Sequence, residues 1–299
     1  MNSETTALPS SKLDWVNISF LAIVHLATFV GVLVYLATNG LTLASVAIFL
    51  VLLVAGGISI TVGYHRLYAH RSLQAHPVVQ IPLLFIGAGQ FQNSALKWAS
   101  DHRRHHSKVD TDEDPYSIKK GFWWAHMGWL FYVDKLGDED VFSGKHKDLT
   151  TNRLVMLQHR LYRPSAVLAG LVLPAMLGLA LGDLFGGFVI GGLLRLTVMY
   201  HMTFCINSLA HTIGSQPFSK RDSARDSWIT ALFTWGEGYH NFHHRFSADY
   251  RNGIRWWQYD PGKWAIWLLA RARLTGGLKK TPEEKIQKAM RETSSEMDA

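Results

Sequence analysis

Four stretches of this chain stand apart by their lack of charge. Residues 16–37 and 41–63 contain no Asp, Glu, Lys or Arg, residues 165–182 contain none, and residues 184–206 are interrupted only by Arg195. Each is close to the roughly 20 residues that carry an α-helix across a bilayer. The pattern predicts an all-α, polytopic membrane protein with four transmembrane helices. Thr38, Asn39 and Gly40 leave room for no more than a turn, and the connection around Gly182 and Asp183 is as tight, so the spans pair into two hairpins. Segment 77–91 is apolar but too short to span, which suits an interfacial or re-entrant helix. In segment 264–274 apolar residues are interrupted by Arg271 and Arg273, and this stretch is expected to lie along the membrane surface. Gly186, Gly187, Gly191 and Gly192 read as points of close helix packing. The chain divides into a polar N-terminal tail over 1–15, one membrane domain over 16–274, and a polar C-terminal tail over 275–299 that starts helical near Thr281.

Charge turns this pattern into an orientation. Of the 30 Lys and Arg, fourteen lie in 64–164 and fourteen in 207–299, and neither hairpin turn holds any. The positive-inside rule weakens for long loops, but the contrast points one way. Both termini, the long loop and the cap they form are expected on the cytoplasmic side. The +7 net charge is therefore a topology signal, and no nucleic-acid partner is expected. All 11 Trp fall outside the four spans, as a headgroup-level belt requires, and some are candidates to line a cavity. The single cysteine, Cys205, excludes an internal disulfide and any thiolate-rich metal site built from this chain alone.

The candidate chemistry lies in histidine. Eight of 15 histidines form three boxes: His65 and His70; His102, His105 and His106; His240, His243 and His244. Helix positions i, i+3 and i+4 share a face, so each HxxHH box can aim three rings at one point. His65 and His70 diverge by roughly 140° on an ordinary helix and are expected where a helix ends or bends. Eight imidazoles exceed the needs of one ion and of a zinc hydrolase, so two metal ions are expected. A pair of redox metals, iron foremost, suits neutral imidazoles. Two irons that activate O2 beside a membrane point to oxidation of a long alkyl or acyl chain, by a desaturase or a hydroxylase. All three boxes fall on one side of the membrane and can meet. A metal transporter would carry its ligands within the spans instead.

The motifs around the boxes read GYHR at 63–66, WASDHR at 98–103, DEDPY at 112–116, NSLAH at 207–211 and GEGYHN at 236–241. From about residue 16 to 270 the chain resembles the membrane fatty acid desaturases, and within them the acyl-CoA (stearoyl-CoA, delta-9 type) desaturase family. The resemblance implies a ninth ligand, His211, and a metal-bound water held by Asn207. It implies a cis double bond made in a long-chain acyl group with O2 and two electrons, on acyl-CoA in preference to acyl-lipid. It also implies a thioester and head-group site near Asn93, Trp98, Arg103 and Arg104, and Phe204 stands where animal members carry a Trp before the NSxxH motif. Asp101, Glu237 and Asn241 lie beside ligands as candidates to orient imidazoles. Alkane and sterol hydroxylases share this chemistry, but their first box usually has a three-residue gap where this chain has four.

No fused cytochrome b5, dinucleotide fingerprint or cysteine cluster is visible, so a separate donor is expected: a ferredoxin, a rubredoxin or a free cytochrome b5 with its reductase. That compactness leans towards a bacterial protein of the cytoplasmic membrane. His25, His76, His126, His146, His159 and His201 fall outside every motif and read as structural or surface residues. Arg195, mid-span, is a functional candidate by position, with a packing role favoured.

Overall fold

The computed structural model describes residues 12–134 and 137–295, so most of the expected N-terminal tail lies outside the described residues. Four helices are long and apolar enough to cross a membrane: α1 (Trp15–Thr38), α2 (Leu43–Ala69), α7 (Tyr162–Ala180) and α8 (Leu184–His211). Between and after them come α3 (Pro77–Ala88), α4 (Ala95–Lys108), α5 (Phe122–His126), α6 (Arg153–Arg160), α9 (Trp228–Phe233), α10 (His240–Arg245), α11 (Pro261–Arg271) and α12 (Glu283–Ser295). Two-residue strands, Gln74–Ala75 and Thr275–Gly276, pair antiparallel and are the only sheet among the described residues.

Side-chain caps set where the helices begin. Asp14 accepts the Asn17 N–H at 3.0 Å, Thr42 that of Ser45 at 3.1 Å, and Asp183 that of Gly186 at 2.8 Å, satisfying donors a helix start leaves free. Asp183 also accepts hydrogen bonds from Tyr35 and Thr42, so one carboxylate latches the two hairpin turns together. Glycine lets the helices close. A Cβ on Gly187 would sit 2.4 Å from the Pro174 carbonyl, and one on Gly191 would sit 2.5 Å from Ile48.

Two helices run further than the hydropathy pattern suggests. The second was expected to end at 63 and the fourth at 206; they end at Ala69 and His211. Their apolar parts lie in the span bundle, while the last turns enter a cap of shorter helices. Arg195 is buried and donates to Gln90 Oε1 at 2.6 Å and to the Gly170 and Gly191 carbonyls at 2.9 and 3.2 Å. It ties α8 to α7 and to the end of α3, which is a packing role.

The C-terminal stretch is no loose tail. Thr275 pairs with Ala75, and Ile286 is fully buried against Phe218 and Phe242.

Candidate metal centre

Local helix geometry assembles the ligands. The last turns of α2, Ser59–Ala69, are π-helical, and the His70 N–H bonds the His65 carbonyl at 3.0 Å. An i→i+5 turn brings residues five apart back onto one face, which an α-helix cannot do. The HxxxxH pair sits at a helix end, as expected, and that end is a wide turn: the helix stops at Ala69 and His70 is its C-cap. Ser94 caps α4, which carries the second box; α10 carries the third; α8 ends at His211.

The nine imidazoles form two groups. His65, His70, His102, His106 and His243 make one; His105, His211, His240 and His244 make the other; within each, one ligand atom per residue lies within 4.8 Å of all the rest. This corrects the expectation that each HxxHH box serves one point. In both boxes the i,i+4 pair stays together and the i+3 ring crosses to the other group. The i+4 ring is offset from i by about 40° in one direction and the i+3 ring by about 60° in the other, so the two fall on opposite sides of the first ring.

Hydrogen bonding sets the tautomers. His65 Nδ1 lies 3.0 Å from Glu237 Oε2, and His105 Nδ1 lies 2.9 Å from Asp114 Oδ1. His211 Nδ1 donates to Ser223 Oγ at 2.8 Å, and that hydroxyl donates to Asp110 Oδ1 at 2.6 Å. His244 Nδ1 faces Asp222 at 3.7 Å. Protons held on the outer nitrogens of His65, His105 and His211 leave their Nε2 atoms as lone pairs, while the Nδ1 atoms of His240 and His243 have no hydrogen-bond partner among the described residues; in both groups the Nε2 atoms face inward. Those Nε2 atoms approach each other at 3.0 Å between His65 and His243, 2.9 Å between His70 and His102, and 3.2 Å between His211 and His240.

Protonation does not relieve this crowding. Burial, then neighbouring imidazoles, hold His70, His102, His106, His243 and His244 well below the ordinary histidine value, and His240 is pushed down to about 3. Neutral imidazole nitrogens gathered into two inward-facing groups in a dry pocket fit two imidazole-ligated metal ions.

Glu237 meets its expected place beside an imidazole. Burial pushes its carboxyl up, but His65, Arg66 and Thr61 outweigh that and hold it down at about 2. Asp101 does not sit as expected: it pairs with Lys97 at 2.6 Å and Arg104 at 3.4 Å. Asn241 touches no ligand ring either; its Oδ1 accepts the Phe218 N–H at 2.8 Å and pins the preceding loop. Sequence reasoning missed Asp110, Asp114, Asp222 and Ser223. Asp114 lies within the quoted DEDPY motif, which was its only signal; the other three show none before folding.

A cavity of about 420 Å³ opens beside both groups, touching His65 and His102 of one and His105 and His240 of the other. Its walls are apolar, including Phe20, Leu21, Phe91, Val167 and Tyr200. Asn93, Trp98 and Phe204, the candidate substrate residues, line it together with Asn207, and Trp98 stacks on His102 with centroids 5.0 Å apart. Arg103 and Arg104 do not reach it. Arg103 grips Asp148 at 2.7 Å and the Tyr68 carbonyl at 2.7 Å, while Arg104 holds Asp134 at 2.6 Å.

The sequence profile of the fatty acid desaturases matches residues 41–274, which contains every ligand just described. This chain belongs to the fatty acid desaturase family. Among its relatives, a probable acyl-CoA desaturase of Schizosaccharomyces pombe is 45% identical over 238 residues, covering 78% of this chain and 49% of the relative. Acyl-CoA desaturase 1 of Saccharomyces cerevisiae is 43% identical, covering 79% and 46%. The sn-1 stearoyl-lipid 9-desaturase of Anabaena variabilis is 33% identical, covering 86% and 91%. The chain spans about half the length of the two fungal relatives.

Proposed function

We propose that this desaturase introduces a cis double bond at C9 of a long-chain acyl group, with acyl-CoA as the favoured carrier. The observation that carries the reading is a narrow apolar cavity running beside two groups of inward-facing imidazole nitrogens. Bound there, two iron ions supply the oxidising power for O2-dependent C–H cleavage. The overall reaction removes two hydrogens from adjacent methylenes and reduces O2 to two waters with two electrons and two protons.

The chain's own residues bind, orient and exclude water. Phe91, Tyr200 and Phe204 hold the acyl chain against the metal side and keep the cavity dry. Glu237, Asp114 and Ser223 hold His65, His105 and His211 in the tautomer that points Nε2 inward. Asn207, in the cavity wall one turn before His211, is assigned to hold a water beside the four-histidine group.

Acyl-CoA is favoured by a basic cleft at the cavity mouth. Asn93, Tyr162 and Arg163 line both spaces, and Lys97, His159 and Arg160 continue the cleft outward. Such a surface suits a phosphate-bearing head group. The names of the two fungal relatives support the same carrier. We place the protein in the bacterial cytoplasmic membrane with cap and termini on the cytoplasmic side, and assign its electrons to a ferredoxin, rubredoxin or cytochrome b5.

The test compares cells expressing the protein with cells expressing His105→Ala, His106→Ala. Gas chromatography–mass spectrometry with double-bond location should show a new Δ9 monounsaturated acid only with the intact boxes. A hydroxy acid would move the protein to the hydroxylase reading.

A further inference from the structure

A second cleft, of about 600 Å³, lies behind α10 and shares no lining residue with the acyl cavity. Helix α10 presents its histidines to the metal groups, and Phe242 lines the cleft on the other side. The walls are aromatic: Trp228, Tyr239, Phe242, Trp257 and Tyr259. Three polar side chains among them are incompletely partnered. Asp226 Oδ1 accepts the Phe242 N–H at 3.0 Å, and among the described residues its carboxylate has no ion-pair partner. Burial pushes that carboxyl up to about 7, the response of an acid with no cation beside it. Asn252 is 1% exposed; its Nδ2 donates to Glu237 Oε2 at 2.7 Å, which fixes the amide, and its Oδ1 has no hydrogen-bond partner. Arg255 lines the cleft and is exposed, and among the described residues its guanidinium has no ion-pair partner.

Two acceptors inside aromatic walls, Asn252 buried and Asp226 half-buried, call for a cation that carries N–H donors. A free guanidinium on the exposed side calls for an anion. The rim suits a membrane surface: Trp228, Trp256 and Trp257 are 65%, 80% and 62% exposed, and exposed tryptophan is the residue type that favours the headgroup layer. We propose that this cleft binds the headgroup of a primary-amine phospholipid, with the ammonium on Asp226 and Asn252 Oδ1 and the phosphate on Arg255. The proposal rests on the membrane-spanning reading of the four long helices and not on the reaction. A trimethylated headgroup would leave Asn252 Oδ1 unpaired, and an anionic headgroup would meet Asp226. The occupant also reaches the metal centre by a short path, since Asn252 bonds Glu237 and Glu237 faces His65.

The experiment is native mass spectrometry of the full chain released from detergent, with phosphatidylethanolamine, phosphatidylcholine or phosphatidylglycerol added at equal concentration. Phosphatidylethanolamine should be retained selectively. Asp226→Asn keeps the acceptor for the Phe242 N–H while removing the charge, and should weaken that retention about tenfold or more. Arg255→Gln, at an exposed position with no fold contact to lose, should weaken it too. Equal retention of the three lipids, or unchanged retention in both variants, would overturn the proposal. So would absence of bound lipid with a dimer in its place, since a second copy would then cover the cleft.

Discussion

At the scale of single residues, the centre depends on groups that touch no substrate. Ser223 stands between His211 and Asp110, and its proton commits His211 to present Nε2 inward. Ser223→Ala should lower metal content from two per chain toward one, with the loss in the four-histidine group. Ser223→Thr keeps the hydroxyl and should restore it; both are read by elemental analysis and cobalt(II) absorption. The buried imidazoles also make the metal-free protein acid-sensitive. Their folded pKa values lie below the unfolded value near 6.5, so the unfolded chain binds more protons at lower pH. Stability is full above about pH 6.5 and should fall progressively as the pH drops towards 3, the value to which His240 is pushed. Thermal melts of chelator-treated protein between pH 8 and 5 should show a falling midpoint. The ligands themselves were legible because imidazole at fixed spacing has few other uses. Asp110 and Ser223 were not, because 113 positions separate them and only the folded chain joins them.

At the scale of elements, the helix registers explain which expectations held. Charge-free runs located all four spans, since only burial in lipid rewards such composition. The π-helical end of α2 was not legible, because residues that widen a turn carry no strong propensity signal. Histidines outside the boxes also find an element-level role. His25 Nε2 meets His201 Nε2 at 3.2 Å, His201 Nδ1 meets His126 Nε2 at 3.1 Å, and His126 Nδ1 meets Ser208 Oγ at 3.0 Å. The His25 Nδ1 donates to the Leu21 carbonyl at 2.7 Å and the Ser208 hydroxyl donates to the Phe204 carbonyl at 2.9 Å, so the histidine chain is anchored to backbone at both ends. It stitches α1, α8 and α5 together. His201→Ala should cost about 1–3 kcal/mol for two lost hydrogen bonds, seen as a lower melting temperature, with metal content unchanged. Arg195→Leu should cost more, because it leaves Gln90 and two carbonyls buried without a donor; Arg195→Lys should recover only part, lacking the planar fork.

At the scale of the whole molecule, one-sided placement of the boxes was the strongest expectation from sequence, and both long helices deliver their histidines into the same cap. The lateral distribution of charge predicts which way that cap faces. A cysteine at Asn39 and one at Lys288, each placed in a Cys205→Ser background, should label from opposite sides of sealed vesicles. Labelling of both from one side would refute the four-span topology. What sequence could not supply at this scale was the sorting of ligands, because helix spacing shows which rings share a surface and not where two neighbouring ions will sit.

That sorting has a thermodynamic consequence. Each box helix gives ligands to both groups: α4 sends His102 and His106 one way and His105 the other, and α10 divides in the mirror sense. The first ion to bind therefore immobilises two helices whose remaining rings belong to its neighbour, and the second ion meets nitrogens already ordered. Filling of the metal-free protein should be cooperative. In a cobalt(II) titration followed by native mass spectrometry, singly loaded chains should stay below the statistical half at the midpoint, so that each chain carries either both ions or neither.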